Sequence, residues 1–336
     1  MPSTSVQVRG KRKAPSASPQ HSDSDRPAKV KRSIAQIKAS RLANPRTKLE
    51  SLPTEVLEDV LLYSLNVALP RCSHLIGAKL SDRATLIRFC LVAFDKTWDR
   101  HLGGKSRKAK PTADAKAAAD DAKDAKVETA VLAMPWAKLD LLLQAQQTWA
   151  NRYSPRLQYE RLLPWSAPAS ASDPLSGPRF NALEFFNQDY AHMIHLWKAD
   201  VSSRNAVEPM HEINHHTRVP HRLINGSWSE EQLRRIFWLW RGGLNVPALV
   251  RAIPWEYRLM AFRNATRDPS DPPWAVIKCI MSHSTYLDFP LEAKRALARE
   301  LDGRLAAYNK LISQGEAEDS DLAHKLLLYY RDLIES

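Results

Sequence analysis

The sequence predicts an all-α protein, and three observations carry that expectation. Apolar residues recur at spacings of three and four along most of the chain, as in Phe180, Leu183, Phe186, Tyr190, Ile194 and Trp197. No segment shows the strict alternation of a half-buried strand. Gly (10 residues) is sparse and Pro (22) is common, so Pro punctuates the chain where helices begin or stop. At 336 residues, with 10 Trp, the chain is long enough for a sizeable aromatic-packed core. No apolar run reaches the roughly 18 residues of a membrane span, and no apolar stretch follows the basic start as in a signal peptide.

Residues 1–48 are rich in Ser, Pro, Lys and Arg and poor in aromatic and branched apolar side chains. Such a segment buries too little surface to offset its chain entropy and is expected to be disordered. It holds twelve Lys and Arg against Asp23 and Asp25, or +10 of the chain's +12, leaving +2 for residues 49–336. The basic character therefore belongs to a tail, and the folded part lacks the charge expected of a sequence-specific nucleic-acid binder. Lys11, Arg12 and Lys13 form one basic cluster and Lys29, Lys31 and Arg32 another, with fifteen residues between the runs. This pattern fits a bipartite nuclear-import signal read by importin; a solvated basic tail that binds nucleic acid non-specifically is the alternative.

Residues 49–102 read as a helical unit. Leu52, Val56, Leu57, Val60, Leu61 and Leu65 fall on one helical stripe, and Pro53 suits the first helical position, where a missing N–H costs nothing. Glu55, Glu58 and Asp59 lie toward the positive end of the helix dipole. Leu86, Phe89, Cys90, Ala93 and Phe94 repeat the pattern and Trp98 closes it. Residues 103–126 are low-complexity Gly, Lys, Ala and Asp, expected to be a linker or insertion with some helix. Residues 127–336 read as a helical C-terminal domain. Helical pattern returns over 127–149, with Leu139, Leu142, Leu143 and Gln146 in register, and a Pro/Ser-rich loop interrupts the domain at 164–179. Ser229 and Gln232 form a capping box before Leu233–Trp240, and Gly242–Gly243 supply a left-handed stop. Two amphipathic helices, from about Pro290 and about Asp319, close the chain around Gly315 as an antiparallel pair.

The opening Leu52-Pro53-Thr54-Glu55, its amphipathic helix and the later helix ending near Trp98 resemble the F-box, a module that docks proteins onto a ubiquitin-ligase adaptor. The chain is more specifically similar to a divergent fungal group of F-box-like proteins of unknown function. That likeness rests on the LPRCSHLIGAKLS segment at 69–81, which replaces the usual continuation, and on Arg222–Leu239. The resemblance implies a non-enzymatic interaction module whose docking face is drawn from Leu52, Pro53, Val56, Leu57, Val60 and Leu61. It also implies a Skp-type adaptor as partner, with the C-terminal domain choosing an unknown target protein. The architecture expected is this unit packed on or tethered to the larger helical domain.

A rival signal is HEINHHTRVPH at 211–221. His211, Glu212 and His215 spell HExxH, with His221 in the place of a third ligand; on a helix the two histidines would share a face and bind zinc, with Glu212 as base. Pro209 and Pro220 bracket the segment, and Arg218 stands where a turn would want Gly. A loop with solvated or helix-capping histidines is the reading preferred over a zinc hydrolase, so neither cofactor nor catalytic residue is expected. Gly-rich phosphate loops are absent. Cys72, Cys90 and Cys279 are far apart and set among apolar residues, as expected of buried free thiols in a reducing nuclear or cytoplasmic setting.

Overall fold

The periodic segments fold as helices in the computed structural model, which describes residues 48–102, 115–153, 180–201, 212–244, 250, 253–268, 271–281, 283–286, 288–315 and 322–335. Among these residues there are helices, 3-10 turns and irregular connections, and no strand. The all-α expectation is met. None of the described helices is long and apolar enough to cross a membrane. The expected tail and its basic clusters lie outside the described residues, as does the loop at 164–179.

The helices are α1 (Thr54–Ser64), α2 (His74–Leu80), α3 (Arg83–Leu102), α4 (Ala115–Leu132), α5 (Leu139–Tyr153) and α6 (Ala182–Ala199). They continue with α7 (Glu230–Arg241), α8 (Trp255–Ala265), α9 (Trp274–Cys279), α10 (His283–Tyr286), α11 (Leu291–Ser313) and α12 (Leu322–Glu335). Leu49–Ser336 form one compact unit. The N-terminal helices join it chiefly through α3, which packs along α5, on α4 and against α1. Phe94 stacks on Trp98 at 5.2 Å, and Trp98 meets Trp149 of α5 edge-on at 6.2 Å. Both indole N–H groups find acceptors inside: Trp98 donates to the Glu212 carbonyl at 3.1 Å and Trp149 to Asp95 Oδ1 at 2.8 Å.

The helix expected in part of the low-complexity segment forms, and one of its edges is buried. Residues 115–126 belong to α4, which runs on to Leu132, and Asp121, Ala125 and Glu128 lie on its buried side. Ala supplies the helix propensity and burial of one edge does the rest. The helical pattern over 127–149 is carried by two helices, because the chain turns at Met134–Lys138 around Pro135 before α5 begins. Pro has no N–H to give to a helix and its ring clashes with the preceding turn.

The apolar helix α7 is central, as its sequence requires. Ser229 and Gln232 form the capping box, and Ile236, Phe237, Trp238 and Leu239 are all buried. Its end is a Schellman motif: Gly243 at φ 100°, Gly243 N–H to the Trp240 carbonyl at 3.1 Å and Leu244 N–H to the Leu239 carbonyl at 3.2 Å. Gly242 is required for another reason, since a Cβ there would lie 2.7 Å from Ile213 Cδ1. On α6 the buried face is Phe185, Phe186, Asp189, Tyr190, Met193 and Trp197, whereas Leu183 faces solvent. The closing pair forms as expected, with α11 against α12 and Gly315 at φ 72° between them.

Candidate functional site

Helix α1 divides the stripe that its sequence lays out. Successive helical residues are about 100° apart, so Val56 and Leu57 need not share a fate. Leu57 is 0% exposed and Leu61 2%, both in the core, while Val56 is 42% and Val60 38% exposed. Tyr63, one turn further along the outward face, is 90% exposed. Pro53 is exposed, as the residue just before the helix, and Leu52 is half-buried. This corrects the expected docking face: Leu57 and Leu61 are spent on the fold and cannot meet a partner. Tyr63 shares the exposed face of α1 with Val56 and Val60. It was legible as the i+7 position from Val56, but the apolar count carries the eye to Leu65, which ends the helix in a left-handed conformation at φ 50°.

Polar contacts hold α1 in that orientation. Glu58 accepts from Thr85 Oγ1 and pairs with Arg88 at 2.5 Å, tying α1 to α3. Lys79 of α2 donates to the carbonyls of Glu50 at 3.1 Å and Leu52 at 2.6 Å, fixing the entry to α1. The segment at 69–81 supplies a 3-10 turn, Leu69–Arg71, and then α2, capped by Ser73. Gly77 lets the two approach, because a Cβ there would meet the Pro70 carbonyl oxygen at 2.6 Å. Cys72 departs from the expected buried thiol and is exposed beside this turn; Cys90 and Cys279 are buried. Burial pushes the Cys90 thiol up to about 12, despite Arg235 nearby.

The histidine segment folds as a strap across α4. Residues 212–220 contain no helix, and His221 opens a short 3-10 turn, His221–Leu223. The shared helical face needed for HExxH zinc binding is therefore not formed there; His211 lies outside the described residues. Glu212 is fully buried, and its Oε2 pairs with Arg241 Nη1 at 3.2 Å. Arg241 Nε also pairs with Asp189 of α6 at 2.8 Å. Burial raises the Glu212 carboxyl pKa, opposed chiefly by Arg241. A carboxylate committed to an interior ion pair is poorly placed to activate water at an exposed metal.

Residue Glu128 of α4 anchors the middle of the strap. Its Oε2 accepts from Asn214 N–H at 3.0 Å and Thr217 Oγ1 at 2.9 Å, while Oε1 accepts from Thr97 Oγ1 at 2.5 Å. Burial nevertheless pushes its pKa up to about 7, since these three donors only partly offset the lost hydration. Arg222 caps the end of α4 through the Met134 carbonyl at 2.7 Å, and Arg235 reaches the Leu132 carbonyl at 2.5 Å. Most of the strap's buried polar groups thus find partners on α3, α4 and α7.

At the outer edge of this strap Asp121, His215 and His216 come together. His215 and His216 are exposed, with ring centroids 3.9 Å apart. His215 Nδ1 stands 4.0 Å from Asp121 Oδ2. Asn214 Nδ2 donates to Asp121 Oδ1 at 3.0 Å and Arg100 pairs with the same oxygen at 2.5 Å. Neither Asp121 nor His216 was legible as a candidate: one stands in a low-complexity run, the other one residue outside the HExxH register.

No family model, curated protein or solved structure matches this chain. The observations define an all-helical protein with an outward apolar row on its first helix and a polar strap over its fourth.

Proposed function

We propose that the chain is a non-catalytic interaction module that docks a Skp-type ubiquitin-ligase adaptor through the outward face of α1. The observation that carries this reading is the row Val56, Val60 and Tyr63, held toward solvent on a helix that turns Leu57 and Leu61 into the core and leaves Leu62 half-buried. Large apolar side chains aligned on one helix face mark a protein-binding surface more often than scattered ones do. The F-box-like opening at Leu52-Pro53-Thr54-Glu55 supports the choice of partner, and the rest of the chain would select a target protein for ubiquitination.

The test is co-purification of the full chain with a Skp-type adaptor. Val56→Asp combined with Val60→Asp should abolish the complex while leaving the helical circular dichroism unchanged, because both side chains already face water. A complex that survives the double substitution, or a wild-type chain that captures no adaptor, overturns the assignment. Leu57→Asp is unsuited to this test, since it would place a charge in the core.

A further inference from the structure

We propose that Asp121, His215 and His216 form a surface binding site for a zinc-class divalent ion, one that shares His215 with the HExxH string but uses neither His211 nor Glu212. One ligand atom from each residue lies within 4.8 Å of the other two. Zinc holds nitrogen and oxygen ligands at about 2.0–2.2 Å, which places tetrahedral ligand atoms about 3.4 Å apart. The 4.0 Å between His215 Nδ1 and Asp121 Oδ2 therefore needs to close by well under an ångström. The two histidines are exposed, so rotamer changes within the strap can achieve this without disturbing the core.

The surroundings resemble a metal ligand's supporting shell. Arg100 and Asn214 both hold Asp121 Oδ1, and Asn214 is itself fixed by its own backbone bond to Glu128. This orients the carboxylate with Oδ2 toward His215. Two imidazoles and one carboxylate select zinc, nickel or copper over magnesium or calcium, which prefer all-oxygen sites. Three protein ligands leave one tetrahedral position for water. A bound ion would clip the strap to α4 at its exposed edge.

The experiment is calorimetric titration of EDTA-stripped, full-length protein with zinc chloride, with thermal melting in parallel. The expected result is one zinc per chain at micromolar or tighter affinity, with a raised melting temperature. His215→Ala with His216→Ala should weaken this by about tenfold or more, as should Asp121→Asn, the melting temperature of the metal-free chain changing little for the histidine pair. His211→Ala and His221→Ala should leave binding unchanged, which separates this site from the HExxH reading. The proposal is overturned if the wild type takes up no zinc, if the His215/His216 variant binds like the wild type, or if His211→Ala abolishes binding.

Discussion

Helix α1 and the strap at 212–223 both bury apolar side chains, but they differ in where their backbone hydrogen bonds go. In α1 the backbone satisfies itself, and burial of Leu57 and Leu61 together with the Glu58 contacts to Thr85 and Arg88 sets its orientation. Residues 212–220 have no repeating hydrogen bonds of their own, and beyond the burial of Ile213 and Val219 their position comes from Glu128, Asp121, Arg241 and Trp98 reaching them from other elements. A periodic element tolerates changes on its outer face, whereas an irregular one depends on each buried polar partner. The same contrast separates function: α1 presents side chains that the fold does not use, and the strap presents side chains at the rim of groups that it does use.

The comparison breaks most readily at Arg241. Arg241→Met leaves Asp189 and Glu212 as buried carboxylates without their cation, and should cost about 3–5 kcal/mol in urea unfolding. A loss below about 1 kcal/mol would show that the strap does not rely on this triad. On the apolar side, Leu57→Ala should cost about 2–5 kcal/mol, because it opens a cavity at a fully buried site. Equal and small costs for Leu57→Ala and Val56→Ala would contradict the division of the stripe.

The pH dependence sharpens the contrast. The carboxyl of Glu128 rises on folding from an ordinary value of 4.5 to about 7. Its contribution to stability is therefore fully present below about pH 4.5 and is lost as the pH rises through about 7, on the order of 3 kcal/mol. Glu128→Gln should flatten the stability profile over that window, measured by denaturant melts at several pH values. Glu212 shifts in the same direction and leaves a residual slope. An unchanged profile in the variant would remove Glu128 as the source. Smaller still, Ser229→Ala should cost about 1 kcal/mol by removing the capping box of α7. Val60→Ala should stay within about 0.5 kcal/mol, as an exposed position should.

Much of the helical architecture was legible in the sequence. The capping box at Ser229, the Gly243 stop, the Pro290 start of α11 and the amphipathic pair around Gly315 each rest on a local rule that tertiary contacts did not override. Legibility failed where the rule was global. Residues 115–126 carry little apolar signal, so a sequence reading sees a linker; burial of Asp121, Ala125 and Glu128 against the strap and α3 makes them one edge of the core. The HExxH string failed differently. It is a correct reading of spacing that presumes a helix, and Glu128 together with Arg241 draws residues 212–220 into a loop instead.

By itself the sequence determined the helical class and the bounds of its most periodic helices, because propensity, capping and period act within a few residues. Only the tertiary structure decided which edge of the α1 stripe is core and which is surface, because that depends on where α3 lies. It alone brought Asp121 beside His215 and His216, since side chains far apart along the chain meet through packing, which no local pattern records.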